Sequence, residues 1–494
     1  MQIKPVTILC GTNSCGKSSI LQSILLIRQT LESQISKQAL LLNGGLVHLG
    51  IFSNIIFEKK LDREVSFEFS FKITKNDLSE NKLRQKNGTR RAKRAMEGRA
   101  YDTIRDLLPT ESLQEAEEYH IHYKVSVKAP AKNIAFYLIT PIVHDFTFTV
   151  QALDDKGALV SESFVKIALN EEGTNQYLVQ WKNISSLKET PAKGHEMTAQ
   201  VEFNNISPLS VTKSGKNSIF DVSLQLSFYL RSMNAFLRNA FASLTYIGPL
   251  REEPSRRYIY EDEVLEIGVK GENAAYIYLT QQNTIIDDHY FYNRRADDFE
   301  LKGQMTLANA VQDWLDQMSI QSLKPEPSRE IIYLNLNAGL LNETRVNIAD
   351  VGFGVSQIFP IILEGLRMAR GNFLLLEQPE IHLHPKLQMQ MADYFLALAL
   401  SGKKVIAETH SDHIVNRLVR RIVEDETWGL KDLIGIYFVK YTENGAVFEE
   451  IQIDDTQGIV NWPLDFFDQA ATEQRKIMQA GLKKRRRRRE KKKS

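Results

Sequence analysis

A short glycine-containing segment close to the N-terminus constrains the fold of this chain more than any other feature. Residues 11–18 read G-T-N-S-C-G-K-S, which matches the G-x-x-x-x-G-K-[ST] pattern of a phosphate-binding loop. The apolar run Val6 to Leu9 predicts a buried strand before the loop, and the apolar spacing from Ser19 to Leu31 predicts a helix after it. A chance match in an unrelated turn is the alternative. The flanking strand and helix favour the phosphate loop, because this order places phosphates at a helix N-terminus.

The residue types in the loop predict how it binds phosphate. Glycine lets the backbone wrap a phosphate chain with its N–H groups pointing inward. Lys17 supplies a positive charge for the β- and γ-phosphates, and the Ser18 hydroxyl is a Mg²⁺ ligand. The predicted phosphate-binding residues of this loop are Gly11, Asn13, Ser14, Gly16, Lys17, Ser18 and Ser19.

Composition excludes several classes of protein. The chain has 494 residues, of which 43% are hydrophobic, so a sizeable core is available. The sequence contains no run of about eighteen apolar residues, so it predicts no membrane span. The N-terminal residues do not resemble a signal peptide. Cys10 and Cys15 lie beside and inside the loop with a spacing that suggests neither a disulfide nor a metal site. We therefore expect a cytoplasmic protein.

A strongly basic C-terminal segment is hidden by the overall net charge of +1. Residues 483–494 contain ten basic residues and one acid, which leaves a net charge of about −8 on the rest of the chain. Such a block of like charge predicts disorder over residues 481–494. Lys483 to Lys493, together with a basic group at Arg90, Arg91, Lys93 and Arg94, is a candidate nucleic-acid contact. A solvated tail without a dedicated partner is the alternative.

The residues between 59 and 329 read as an insertion that separates two halves of one domain, 1–58 and 330–425. Repeated strand patterns predict a mainly antiparallel sheet, with helices at Phe220 to Phe241 and Thr306 to Met318. Tyr246 to Arg251 is predicted to be a loop.

The pattern changes at about residue 330. Strands and helices alternate from there to residue 425, starting with strands at Ile331 to Leu336 and Arg345 to Ile348. This alternation predicts a parallel sheet with helices on its faces. A hairpin and a helix are predicted over residues 426–480.

A phosphate loop needs an acidic partner at the end of a buried strand to hold Mg²⁺, and one segment fits well. Phe373 to Leu376 is an apolar run that ends in Glu377, about 360 residues after Lys17. Glu377 is therefore the predicted Walker B acid and metal ligand, and distant parts of the chain must complete the sheet.

Two further segments can bind phosphate. Residues 351–357, V-G-F-G-V-S-Q, form a glycine-rich turn that opens a helix, and a plain helix cap is the alternative. His410 ends another buried strand, where an imidazole can donate a hydrogen bond to a γ-phosphate or be satisfied by backbone groups. His382 and His384 are weak evidence for a metal site because no third ligand is in view.

The order of these motifs resembles that of the ABC-type ATPases. The motifs are the phosphate loop, G-F-G-V-S-Q, L-L-L-E-Q-P-E-I-H-L-H-P and E-T-H-S-D-H. Within this group the chain resembles the stand-alone overcoming-lysogenization-defect-like ATPases and the structural-maintenance-of-chromosomes group, over about residues 3–58 and 330–425. Residues 458–467 resemble the tail of a branch found in prokaryotic defence loci. The implied fold class is α/β: a P-loop NTPase of ABC ATPase type, with a mixed sheet, helices on its faces and an antiparallel β-rich and helical insertion.

The resemblance also implies cofactors, partners and site residues. ATP and Mg²⁺ are the implied cofactors, with His410 as the switch histidine. Gly354, Ser356 and Gln357 would belong to a signature that reaches the γ-phosphate on a second subunit, and His382 and His384 would lie in the loop that faces it. The implied assembly is therefore a homodimer, or a higher homo-oligomer, that sandwiches ATP.

Gln378 departs from the pattern of the wider superfamily, in which a second acid at this position polarises the attacking water. An amide can orient water but is a poor proton acceptor. Glu380 could take the role, Gln378 could orient the water as glutamine does in some GTPases, or hydrolysis could be slow. The predicted catalytic residues are therefore Glu377, Gln378, Glu380 and His410, and slow hydrolysis is favoured.

Three functions agree with these patterns. The first is a sensor and regulatory ATPase of an antiphage defence system that controls a separate effector, a nuclease or toxin, which only the resemblance implies. The second is a DNA-binding repair or chromosome-maintenance ATPase, which the basic segments support and the lack of long heptad arms weakens. The third is a slowly hydrolysing, ATP-gated scaffold, which Gln378 supports.

Overall fold

The structure, a computed structural model, forms two units. It describes residues 1–33, 38–75, 107, 115–130, 139–171, 175–184, 195–213, 220–259, 266–338, 344–443, 445–463, 467 and 469–490. The first unit consists of Met1–Ile20 and Leu244–Ser494, and the second of Leu21–Ser243. The basic group at residues 90–94 and the tail residues 491–493 lie outside the described residues.

The elements are numbered in chain order. The strands are β1 (Val6–Gly11), β2 (Val65–Thr74), β3 (Glu118–Lys128), β4 (Ile142–Leu153), β5 (Leu159–Glu171), β6 (Gln176–Lys182), β7 (His195–Asn204), β8 (Ser207–Lys213), β9 (Leu244–Ile247), β10 (Tyr258–Ile259), β11 (Ile285–Ile286), β12 (His289–Asn293), β13 (Asp298–Lys302), β14 (Met305–Thr306), β15 (Gln321–Ser328), β16 (Ile331–Ala338), β17 (Thr344–Asn347), β18 (Phe373–Glu377), β19 (Lys404–Glu408), β20 (Ile434–Thr442), β21 (Gly445–Glu450), β22 (Ile453–Asp454) and β23 (Gly458–Ile459). The α-helices are α1 (Lys17–Glu32), α2 (Phe220–Ala242), α3 (Ala274–Gln281), α4 (Leu307–Gln317), α5 (Gly354–Arg367), α6 (Pro385–Leu400), α7 (Asp412–Glu424), α8 (Leu430–Leu433) and α9 (Gln469–Glu490).

A six-stranded mixed sheet lies at the centre of the first unit, in the order β21-β20-β1-β19-β18-β9. Every neighbouring pair is parallel except the antiparallel hairpin of β20 and β21. Strand β1 lies between β19 and β20, so that Val6 pairs with both Val405 and Ile434. The sheet therefore brings together the predicted first and last parts of the domain, and the predicted fold class is confirmed.

The core of the first unit is built largely by helices α5 and α6. Residues 356–366 of α5 are all buried, and so are residues 390–399 of α6. Alternate apolar residues of three strands belong to the same core cluster, namely Val6, Ile8 and Cys10 of β1, Leu374 and Leu376 of β18, and Val405 and Ala407 of β19. A sheet that is covered in this way holds the carboxyl ends of its parallel strands at one edge, where the site residues lie.

A second sheet in the first unit is antiparallel, in the order β10-β16-β15, with β17 paired to β16. The prediction that Ile331 to Leu336 and Arg345 to Ile348 start a parallel sheet was therefore wrong. Only residues 339–343 separate β16 from β17, and a parallel crossover needs a dozen or more residues.

Strand β9 lies partly in the segment Tyr246 to Arg251, which was predicted to be a loop. It pairs in parallel with β18, and residues from Leu244 onward belong to the first unit rather than to an insertion that extends to residue 329. A four-residue strand is too short for hydrophobic periodicity to distinguish it from a loop.

The second unit contains a seven-stranded antiparallel sheet in the order β2-β3-β4-β5-β6-β7-β8. Helix α2 contacts this sheet through aromatic pairs. Phe236 packs edge-on against Phe71 at 5.6 Å between ring centroids, and Phe241 packs against Phe69 at 5.1 Å. The predicted antiparallel sheet with an accompanying helix is thus confirmed for the described part of residues 59–243.

Helix α9 extends through the basic segment as far as Glu490, so the prediction of disorder from residue 481 was wrong over residues 481–490. Lysine and arginine are good helix formers, and residues 473–485 are exposed, so that water solvates their charges. None of the helices in the described ranges is long and apolar enough to cross a membrane.

Candidate functional site

The phosphate loop connects the end of β1 to the start of α1 and has an unusual backbone. Gly11, Ser14 and Gly16 all have positive φ angles, of 147°, 59° and 100°. A Cβ atom on Gly11 would lie 2.3 Å from the carbonyl oxygen of Val439 in β20, so only glycine fits there. The C-terminal hairpin therefore packs directly against the loop.

The side chain of Lys17 is buried, and the loop's own backbone satisfies it. Its Nζ donates hydrogen bonds to the carbonyl oxygens of Thr12 at 2.7 Å and Gly11 at 3.2 Å. Cys15 is also buried, and its Sγ donates to the same Thr12 oxygen at 2.9 Å. Of the other predicted loop residues, Asn13, Ser14 and Ser19 are exposed and Ser18 is half-buried.

Glu377 ends β18 and is buried at the carboxyl edge of the sheet. Its Oε1 accepts a hydrogen bond of 2.8 Å from the hydroxyl of Tyr246 in the neighbouring strand β9. Burial raises the pKa of Glu377, the Tyr246 hydrogen bond lowers it, and the nearby Glu408 carboxylate raises it. The acid is thus held at a fixed position in surroundings that favour binding of a cation.

Gln378 follows Glu377 with a positive φ of 45°, and two backbone contacts hold it. Its N–H donates to the carbonyl oxygen of Glu408 at 2.8 Å. A buried guanidinium, that of Arg251, donates from Nη2 to the carbonyl oxygens of Glu377 at 3.0 Å and Gln378 at 3.3 Å. Burial lowers the pKa of Arg251 to about 10. Arg251 therefore fixes the backbone at the position where a catalytic acid is usual.

Glu380 links the segment after β18 to the residues that follow β19. Its Oε2 accepts a hydrogen bond from Thr409 Oγ1 at 2.8 Å, and its Oε1 accepts one from the backbone N–H of His410 at 2.6 Å. Burial raises the pKa of Glu380, and the two donors lower it. With both oxygens engaged, this carboxylate positions His410 in the present arrangement.

The imidazole of His410 is exposed at the same edge of the sheet. Partial burial and the positive charge of Lys17 lower the pKa of His410, while Glu408 raises it. The phosphate-loop lysine is thus close enough to act on the predicted switch histidine, and a neutral imidazole is favoured at pH 7.

The predicted signature forms the start of α5. Ser356 Oγ donates to the carbonyl oxygen of Phe353 at 2.8 Å, and both Ser356 and Gln357 are buried. Phe353 is 48% exposed, and its ring lies 5.6 Å from that of His382. A Cβ on Gly354 would lie 3.4 Å from the carbonyl oxygen of His382, so the signature and the 382–384 loop are neighbours.

His384 has a structural role that was not predicted. Its Nδ1 accepts a hydrogen bond of 3.2 Å from the backbone N–H of Lys386, and it therefore caps the N-terminus of α6. The side chain itself is exposed.

Sequence reasoning missed three residues of this edge: Tyr246, Arg251 and Glu408. A signal for Glu408 was present, because K-V-I-A-E ends an apolar strand in an acid as F-L-L-L-E does at Glu377. Tyr246 and Arg251 had no such signal, since they lie in and after a strand that was not predicted.

The oxygen donors at this edge fit a divalent cation. Mg²⁺ prefers carboxylate and hydroxyl oxygens. Ser18 and Glu377 supply one of each, and the Oε2 atom of Glu408 is buried without a hydrogen-bond partner in the described part of the chain. This donor set is consistent with the predicted roles of Ser18 and Glu377.

A family model described as "AAA ATPase domain" matches residues 1–415. Among solved structures, the chain is similar to the SMC head domain from Thermotoga maritima, with 8% identity and a TM-score of 0.29 over 91% of this chain and 90% of that chain. It is similar to the Smc head domain with an extended coiled coil bound to the C-terminal domain of ScpA, from Pyrococcus furiosus, with 10% identity and a TM-score of 0.31 over 90% of each chain. No curated protein matches significantly.

Proposed function

Because the chain belongs to the AAA ATPase domain family, we propose that it binds ATP between two copies of itself and acts as the sensing and regulatory ATPase of an antiphage defence system. A separate effector, a nuclease, would act under its control. The family supplies the ATPase assignment. The finer biology is supported by the motif order and by the resemblance of residues 458–467 to a branch found in defence loci.

The single observation that carries ATP binding is the phosphate loop, with Lys17 and with glycines at positive φ, at the edge of the sheet where Glu377 ends β18. Lys17 would turn from the carbonyl oxygens of Thr12 and Gly11 to phosphate oxygens, which compete well for an ammonium group. Ser18 and Glu377 would hold Mg²⁺, which neutralises the charge on the β- and γ-phosphate oxygens when it is bound.

We expect slow hydrolysis. Both oxygens of Glu380 already accept hydrogen bonds, so Glu380 is poorly placed to act as a base. Gln378 would orient the attacking water without removing its proton, and His410 would donate a hydrogen bond to the γ-phosphate. A long-lived ATP-bound state would suit a sensor that has to wait for its trigger.

The exposed aromatic pair of Phe353 and His382 supports the dimer. A large exposed apolar side chain, that of Phe353, beside a glycine-containing helix start suits a surface that a second copy covers. In such a dimer Gly354, Ser356 and Gln357 would approach the γ-phosphate of the partner, and His384 would lie nearby.

The test of this function starts with ATP binding and assembly. Lys17→Ala should abolish ATP binding, and tight ATP binding by this variant would overturn the proposal. With a non-hydrolysable ATP analogue, light scattering should report a doubled mass. Phe353→Ser should prevent the doubling, whereas Phe228→Ser, which changes a phenylalanine of similar exposure in the second unit, should not.

A DNA-binding maintenance ATPase is the second candidate, and one observation favours it. Helix α9 presents an exposed basic surface that includes Lys483, Lys484 and Arg485. Phosphate release that rises on addition of DNA, and loses this rise at high salt, would favour the second candidate over the first.

A further inference from the structure

Glu408 occupies the centre of the proposed site. It is the last residue of β19, the strand between β1 and β18, and it pairs with Leu9 on one side and Glu377 on the other. Residues paired in register on parallel strands point to the same face of a sheet. Glu408 and Glu377 are therefore adjacent carboxylates at the ends of two neighbouring strands, β19 and β18.

The Glu408 carboxylate is nearly inaccessible and incompletely satisfied. The residue is 3% exposed, and its Oε2 has no hydrogen-bond partner among the residues that the structure describes. A buried carboxylate without partners is costly, and a second carboxylate beside it raises that cost. Such an arrangement persists most readily where a cation compensates for it.

The ammonium group of Lys17 does not pair with either carboxylate among its described hydrogen bonds. Lys17 is close enough to act on His410, which lies two residues beyond Glu408, but the hydrogen bonds of its Nζ go to the loop carbonyl oxygens. In the proposed ATP complex Lys17 would bind phosphate. The two carboxylates would then need a further positive charge.

We propose that Glu408 is a second carboxylate ligand, with Glu377, of the divalent cation that accompanies the nucleotide. This inference rests on the proposed function as an ATP-binding protein. Mg²⁺ sites at nucleotide phosphates commonly combine one or two carboxylates with phosphate oxygens and water. Glu377 keeps one oxygen on Tyr246, so a neighbouring carboxylate would supply the additional anionic ligand.

The experiment measures metal affinity rather than turnover. Binding of Mn²⁺ in the presence of ADP is followed by electron paramagnetic resonance for the wild type, Glu408→Gln, Glu377→Gln and Glu364→Gln. We expect Mn²⁺ affinity to fall at least ~10-fold in the first two variants. Glu364→Gln is the matched control, since Glu364 is a buried carboxylate of the same unit with protein donors on both oxygens and no role in the site. Its Mn²⁺ affinity should stay close to that of the wild type.

ADP affinity in excess chelator separates the possible causes. It should be unchanged or tighter in Glu408→Gln, because a negative charge near the phosphates is removed. If Glu408→Gln binds Mn²⁺ as tightly as the wild type does, the inference is overturned, even if the turnover of this variant falls. If the wild type binds no ADP, the proposed function itself fails, which is a distinct result.

Thermal unfolding shows whether the Glu408→Gln variant is still folded. Glutamine is nearly isosteric with glutamate, so Glu408→Gln should unfold at the wild-type temperature or higher in chelator. It should also gain less than the wild type when Mg²⁺ and ADP are added. If Glu408→Gln does not fold, Glu408→Asp keeps the charge at a shorter reach, and an unchanged Mn²⁺ affinity in that variant would also count against the proposal.

Discussion

The hydroxyl of Tyr246 donates a hydrogen bond of 2.8 Å to Oε1 of Glu377. The two residues lie on neighbouring parallel strands, so this bond fixes the acid from the side of β9. The proposed metal ligand is thus oriented by a residue that the sequence motifs do not include.

Tyr246→Phe should weaken metal binding while ATP affinity in chelator is kept. Without the phenol, Glu377 loses the donor that holds one of its oxygens, and loss of such supporting bonds typically costs metal affinity about 10-fold or more. A Mg²⁺ titration of phosphate release measures the shift. Tyr278→Phe is the control, because it removes another buried hydroxyl that donates to the carbonyl oxygen of Leu323. An equal shift in the control would contradict the prediction.

Arg251→Met should lower turnover with little change in ATP affinity. Arg251 holds the carbonyl oxygens of Glu377 and Gln378, and small displacements of catalytic groups cost rate strongly. We expect kcat to fall at least ~10-fold, and the protein to remain folded because methionine replaces a buried, incompletely paired cation. Phosphate release and thermal unfolding test both parts, and an unchanged kcat would contradict the positioning role.

Gln378→Glu should accelerate hydrolysis. A carboxylate at this position can accept the proton of the attacking water, and general base catalysis contributes about 10²-fold or more in rate. We expect at least a ~10-fold rise in single-turnover phosphate release, whereas Gln378→Ala should lower it. If Gln378→Glu is no faster than the wild type, the amide is not what limits hydrolysis.

Glu377→Gln should stabilise the metal-free protein at neutral pH. Burial raises the pKa of Glu377 above 4.5, so between pH 4.5 and its raised value the folded state binds more protons than the unfolded state. Its contribution to stability is therefore highest below pH 4.5 and is lost as pH rises through the raised pKa. At pH 7 the free energy of unfolding of the Glu377→Gln variant should exceed that of the wild type by about 1 kcal/mol.

Urea unfolding in chelator over a series of pH values checks this sign. The gain from Glu377→Gln should shrink as the pH falls, while Glu450→Gln, at an exposed position, should change little at any pH. A gain that grows on acidification would show that the sign is wrong.

Gly11→Ala should abolish ATP binding. The added Cβ would lie 2.3 Å from the carbonyl oxygen of Val439 at a φ of 147°, which alanine does not readily adopt. Gly45→Ala is the control, because no atom lies within 4 Å of its added Cβ. Binding of a fluorescent ATP analogue measures the effect, and near-normal binding by Gly11→Ala would contradict the observed loop geometry.

Elements with a strong periodic pattern were predicted to within a few residues. Strand β18, helix α2 and helix α4 are examples, because the local spacing of their apolar residues indicates which face is buried. The pairing of β9 with β18 was not accessible in this way, since four residues carry no period and their partner lies more than 120 residues away. Strands β16 and β17 pair antiparallel because the connection between them is short. The prediction from alternating strands and helices did not take this length into account.

The residues of the candidate site also fall into two groups: those that local motifs predicted and those that only the fold brings together. Gly11, Lys17 and Glu377 belong to motifs whose residue order carries their chemistry. Tyr246 and Arg251 act through contacts with residues more than 120 positions away, and only the fold brings such residues together. Helix α9 includes the basic segment because lysine and arginine favour a helix. The prediction of disorder considered only the repulsion between their charges.

The position of β1 has a consequence for synthesis. Both of its neighbours, β19 and β20, begin about 400 residues further along the chain. A ribosome releases β1 before β19 and β20, so this strand cannot enter its sheet until about 400 further residues have been made. During that interval the apolar residues Val6 to Leu9 have to be shielded. Chains that end before β19 would therefore lack both neighbours of the strand that leads into the phosphate loop.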